Sequence, residues 1–171
     1  MPREWEPDVR SRDIPTADAI RALGAHLAEF DPSAVEAYLT LAIVAGEMQA
    51  RLESVVSEHG LSRARFVSLI LLRKAGTPLT PAELAQRSST TTASIASLLE
   101  GLVTAGLIRR EPRQDDRRSH YIHLTDEGNA KLDAVLPVVY ATMAKMMAPL
   151  EDGARQDFVR VLIGLRDGQQ P

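Results

Sequence analysis

At 171 residues, 44% hydrophobic and 25% charged, the chain is long enough to bury a real core, as one domain or one domain with an attached dimerisation region. Its net charge of -3 excludes a protein that coats nucleic acid through a uniformly basic surface, so any such contact must come from a local patch. With no cysteine, disulfides, thiolate metal sites and cysteine nucleophiles are excluded as well.

Residues 1–15 are polar and carry prolines at 2, 7 and 15, which reads as an irregular arm. They lack the apolar centre of a signal peptide, and no apolar run approaches the roughly 18 residues of a membrane span. The expectation is a cytoplasmic protein with no membrane partner. From Thr16, the spacing of Ile20, Leu23, Leu27 and Phe30 predicts a short helix that Asp31-Pro32 ends. Asp31 or Ser33 can cap the next helix, whose stripe of Val35, Leu39, Ile43, Leu52, Val55 and Val56 runs to Gly60. A third helix starts after Ser62 and is apolar nearly all round from Phe66 to Leu72, as suits a helix buried on several sides, before Gly76 and Pro78 break it.

Thr80, Pro81 and Glu83 supply three start signals together: a hydroxyl cap, proline at the first helical position and a carboxylate that can reach back to the cap. That helix ends near Arg87. The run Ser88 to Thr92 then offers caps for a helix burying Ile95, Leu98, Leu99 and Leu102 before Gly106. Residues 107–111 and 120–124 read as two short strands, with apolar contacts from Leu107, Ile108, Tyr121, Ile122 and Leu124, around a turn-favouring loop. Thr125-Asp126-Glu127 opens a long helix, acidic in its first turn, with Leu132, Val135, Leu136, Val139, Met143, Met146 and Met147 on its stripe and a kink expected at Pro137. A last helix, about Glu151 to Arg166, is expected to bury Phe158, Val161, Leu162 and Leu165.

A short helix, a turn, a second helix and two arms round an arginine-rich loop make a winged helix-turn-helix, and its expected partner is double-stranded DNA. The second helix fits a major groove about 12 Å wide. Its open face and leading turn carry Ser89, Thr90, Thr91, Thr92, Ser94 and Ser97, the candidate contacts there. Hydroxyls before a helix also serve simply as caps, so the loop adds weight: Arg109, Arg110, Arg113, Arg117 and Arg118 stand against Glu111, Asp115 and Asp116. A guanidinium is forked and weakly hydrated, suited to phosphates and narrow minor grooves. Arg113, Asp116, Arg117 and Arg118 are the wing candidates.

These residues resemble the MarR family of bacterial transcription regulators over about residues 33–166. The most specific part is GLIRREPRQDDRRSHYIHLTDEG at 106–128, where the family's wing pattern falls on Asp116, Arg118, Ile122, Leu124, Thr125 and Gly128. The resemblance implies an α/β, mostly helical fold, with an N-terminal arm and short helix over 1–31, dimerisation helices over 32–60 and 125–168, and a DNA-binding lobe over 61–124. It implies a homodimer on a palindromic operator with half-sites about 10 bp apart, and Arg118 in the minor groove, oriented by Asp116. It also implies a small effector, aromatic or phenolic, in a cleft between the dimerisation helices and the DNA-binding lobe, and a repressor as the expected role. Two departures stand out: Ser97 and Gly101 occupy recognition-helix positions where the family often carries arginine. The acid and arginine of the urate-responsive branch fall on Val67 and Leu98, so urate is not the expected ligand.

His120 and His123, three apart on a strand, point to opposite faces and do not converge on a metal. His26 and His59 are the weak candidates for an effector site. No metal or cofactor is expected, and the phosphate and nucleophile signatures of common enzyme classes are missing. The competing readings are a winged-helix protein-interaction module that does not bind DNA and a small helical enzyme with an unrecognised site.

Overall fold

The computed structural model describes residues 15–27, 29–88, 91–113 and 120–168. Among them run α1 (Ala17–Gly24), α2 (Pro32–Glu58), α3 (Arg63–Ala75), α4 (Pro81–Arg87), α5 (Thr92–Thr104), β1 (Ile108–Pro112), β2 (His120–Leu124), α6 (Asp126–Met147) and α7 (Asp152–Asp167). The boundary between two compact units falls after Arg51, within α2.

In the first unit, α1 is capped by Thr16, whose hydroxyl accepts from Ala19 N–H at 3.3 Å. It stops at Gly24, so Leu27 and Phe30 lie beyond it rather than on its stripe. The reason is local: the Phe30 ring folds back into the space a Cβ on Gly24 would fill, a contact that a helix continued through Phe30 could not make. Asp31 starts α2, its carboxylate accepting from Ser33 N–H at 2.9 Å and Ala34 N–H at 3.2 Å. These bonds and one from the Ser33 hydroxyl hold the Asp31 carboxyl below its usual range, the hydroxyl being the largest cause.

The second unit has one core. Val56, Leu61, Phe66, Leu69 and Leu72 from the first helical layer meet Leu84, Ile95, Leu99 and Leu102 from the helix-turn-helix, Ile108 and Ile122 from the strands, and Leu132, Val135 and Val139 from α6. Gly60, Gly76 and Gly106 end their helical segments with φ of 72°, 65° and 71°, a region that side chains with a Cβ rarely adopt. The two strands pair antiparallel from Ile108↔Leu124 to Pro112↔His120. A third segment joins them: Leu79 N–H donates to Ile122 O at 3.2 Å and Ile122 N–H to Leu79 O at 2.8 Å. The wing is thereby fastened to the residue just before Thr80, the cap of α4. The expected burial of the last helix's stripe does not occur among the described residues. On α7, Phe158, Val161 and Leu165 are 38%, 59% and 50% exposed, and Leu162 is half-buried, because nothing else in the described chain covers that face.

Candidate nucleic-acid interface

Short-range hydrogen bonds fix the helix-turn-helix. Thr80 Oγ1 accepts from Glu83 N–H at 3.2 Å, and Glu83 Oε2 accepts from Thr80 N–H at 2.7 Å and from its hydroxyl at 2.8 Å. These two bonds to Thr80, backbone first, hold the Glu83 carboxyl below its usual range. Ser88 Oγ closes α4 by donating to Leu84 O at 2.8 Å. Thr91 caps α5: its hydroxyl accepts from Ser94 N–H at 3.3 Å and shares a 2.9 Å hydrogen bond with the Ser94 hydroxyl. One candidate DNA contact, Thr91, is therefore also a cap, and a second, Ser94, is its partner.

Opposite buried Ile95, Leu99 and Leu102, α5 exposes Ser94 and Ser97. Their three-residue spacing puts them on one flank of the helix, and Gly101 continues that row. No lysine, arginine or histidine occurs in α5. The other candidates, Ser89, Thr90, Asp116, Arg117 and Arg118, lie outside the described residues, as does the Thr92 side chain.

On the wing, alternation puts Arg109 and Glu111 on the same face as Tyr121 and His123. Arg109 donates to Glu111 Oε2 at 2.8 Å and to His123 Nδ1 at 3.1 Å, which leaves the neutral ring's proton on Nε2. That nitrogen lies 3.0 Å from Glu111 Oε2, yet buried and off the angle of a hydrogen bond. The Arg109 hydrogen bond, the largest cause, and the Arg109 charge hold the Glu111 carboxyl below its usual range. Arg113 places its guanidinium 5.2 Å from the Tyr121 ring centroid, within cation–π range.

The wing's base is tied to α6 by one residue. The Thr125 hydroxyl donates to Gly106 O at 2.7 Å and accepts from Gly128 N–H at 3.0 Å, while Thr125 N–H donates to Leu107 O at 3.2 Å. A Cβ on Gly128 would overlap the Leu107 carbonyl oxygen and stand 2.7 Å from Leu124 Cδ1. The Leu-Thr-x-x-Gly run at the end of the wing pattern is thus a joint between strand, glycine turn and helix. Sequence reasoning placed Thr125 as a helix start and as part of the wing pattern; its bond back to Gly106 had no local signal.

A cavity of about 400 Å³ lies under α5, lined by Glu53, Arg63, Ala64, Val67, Ser68, Ser88, Ile95 and Leu98. Ile95 and Leu98 belong to the recognition helix itself. Neither histidine proposed for an effector site lines the cavity. His59 donates from Nδ1 to Val55 O at 2.9 Å at the end of α2, and His26 is exposed in the turn after α1. Both are explained as residues at helix ends. Leu98, expected to be core, is half-buried and forms part of the cavity wall. Among the described residues no three histidines or carboxylates gather as metal ligands, and no helix is long and apolar enough to cross a membrane.

The MarR family model matches residues 59–119, from the end of α2 into the wing. The chain is 35% identical over 136 residues to the HTH-type transcriptional repressor YetL of Bacillus subtilis, covering 79% of this chain and 81% of that one. Its fold is similar to that of AbsC, a MarR family transcriptional regulator from Streptomyces coelicolor, with a TM-score of 0.73, 20% identity and coverage of 82% and 96%. It is also similar to a mutant MarR from E. coli complexed with operator DNA, with a TM-score of 0.66, 22% identity and coverage of 74% and 90%.

Proposed function

Because the chain belongs to the MarR family of DNA-binding transcription regulators, we propose that it acts as a homodimeric repressor on a palindromic operator and leaves DNA when a small aromatic or phenolic acid binds. The relative YetL is named a repressor, and the E. coli neighbour is bound to operator DNA. The domain division proposed is the one above, with terminal helices pairing two copies and residues 61–124 on DNA.

The observation that carries ligand control is the cavity wall. Ile95 and Leu98 line it from one side of α5, while Ser94 and Ser97 are exposed on that helix. A ligand pressed against Ile95 and Leu98 bears directly on the helix proposed to sit in the groove. It shifts the equilibrium to the extent that it binds the displaced helix better. Val67 and Leu98 give the cavity an apolar wall for a ring, and Arg63 and Glu53 stand at it as the charged residues a ligand's polar group would meet.

DNA contact is proposed through Ser89 to Thr92, Ser94 and Ser97 at bases and phosphates, and through Arg113, Arg117 and Arg118 at the wing, with Asp116 orienting Arg118. An anisotropy titration against duplexes from the region upstream of the chain's own gene tests this. Arg118→Ala should weaken binding to every bound duplex, whereas Ser97→Ala should alter preference among them by about 1 kcal/mol or more. Unchanged binding by Arg118→Ala at two salt concentrations would sink the wing role. Filling the cavity with Ala64→Trp should preserve DNA binding and abolish release by a panel of aromatic acids.

A further inference from the structure

The recognition helix has no cation of its own, but it borrows one. Arg65, in the first turn of α3, sends its guanidinium across to Gly101 on α5. The position a Cβ on Gly101 would take is filled by Arg65 Nη2, with Cζ 3.1 Å and Nε 3.4 Å away. Arg65 is half-buried, and among the described residues no carboxylate pairs with its guanidinium. The one charged residue of α5, Glu100, is exposed and makes no ion pair with it, so the guanidinium is held in place by shape, with its charge left for a partner outside the described residues.

Where it is held matters. Gly101 follows Ser97 by four residues and Ser94 by seven, so the guanidinium extends the exposed serine row by about one turn. Only a residue without a Cβ leaves room for it. The hydroxyl row can donate or accept but cannot neutralise a phosphate; a forked guanidinium at its end can.

We propose that Arg65 is a DNA-contacting residue, seated by Gly101, that neutralises a backbone phosphate at the edge of the groove occupied by α5. The inference rests on the DNA-binding reading above and deepens it by assigning part of the helix's electrostatics to α3. One side chain from outside the helix-turn-helix then does what α5 lacks the residue to do.

The test uses the full chain and a fluorescent duplex from upstream of its gene that the wild type binds, titrated between 50 and 300 mM salt, with circular dichroism melts as controls (roughly the range over which phosphate contacts are read). Arg65→Gln should weaken binding roughly 5- to 20-fold and lower the slope of log K against log salt by about 0.9, the loss of one phosphate contact. Arg65→Lys should retain most of the slope. Gly101→Ala meets only the mobile end of Arg65, so it should fold, melt no lower than wild type and still lose affinity and slope. Wild-type slope in Arg65→Gln, or weakening without a slope change, overturns the phosphate contact. Full affinity in a folded Gly101→Ala overturns the seat. A wild type that binds no duplex at all instead refutes the DNA-binding reading, so the two failures are distinguishable.

Discussion

Thr125 shows how much one hydroxyl can do, since it both caps α6 and donates to Gly106 O. Thr125→Ala removes a cap worth about 1 kcal/mol and a tertiary hydrogen bond worth about 1 kcal/mol more. A loss of about 2 kcal/mol in urea unfolding is expected, with Thr125→Ser recovering most of it. Gly128→Ala offers a contrast: helix propensity alone favours alanine by about 1 kcal/mol. The overlap of its Cβ with the Leu107 carbonyl should reverse the sign and destabilise the protein, as an unfolding midpoint below wild type would reveal. The caps Thr80, Thr91 and Thr125 were legible because their partners stand three residues away. Arg65 on Gly101, 36 residues apart in the chain, and Thr125 on Gly106 were not, because tertiary approach leaves no periodic trace.

At the level of elements, helices were read best where start signals and apolar spacing agreed. The Thr80 box gives α4 a pH dependence with a definite sign. The Glu83 carboxyl is lowered in the folded chain, so its stabilisation is present above the ordinary carboxylate range and disappears as pH falls through the lowered folded value. Glu83→Gln should reduce the unfolding midpoint at neutral pH and flatten its decline in acid; parallel declines for the two proteins would contradict this. The end of α1 was misread because the spacing of Leu27 and Phe30 suits both a continued helix and a turn that returns the ring to Gly24. Periodicity cannot separate these. Leu79 joining β2 also escaped notice, since a bridge of one residue has no alternation to detect.

For the whole molecule, the informative failure is α7. Its apolar positions were expected to be buried, but among the described residues nothing covers them. Phe158, Val159, Val161, Ile163 and Leu165 are exposed on a helix of 16 residues, and contiguous apolar surface of this kind marks an association site. Val161→Glu with Leu165→Glu should give a folded monomer by light scattering, with weakened binding to a two-half-site duplex and little change on a single half-site. A dimer surviving both substitutions would locate the pairing elsewhere. The helix-turn-helix and wing were legible because their core is closed within the one chain, whereas the α7 stripe has the spacing of a core face and periodicity carries no sign of what is to cover it.

Pairing through the uncovered face of α7, if the operator requires it, would make gene dosage a regulatory variable. If only paired chains hold an operator, promoter occupancy in a sparsely expressing cell falls with the square of the protein's abundance rather than in proportion to it. A small change in synthesis or proteolysis then sharpens the response, even at constant effector concentration.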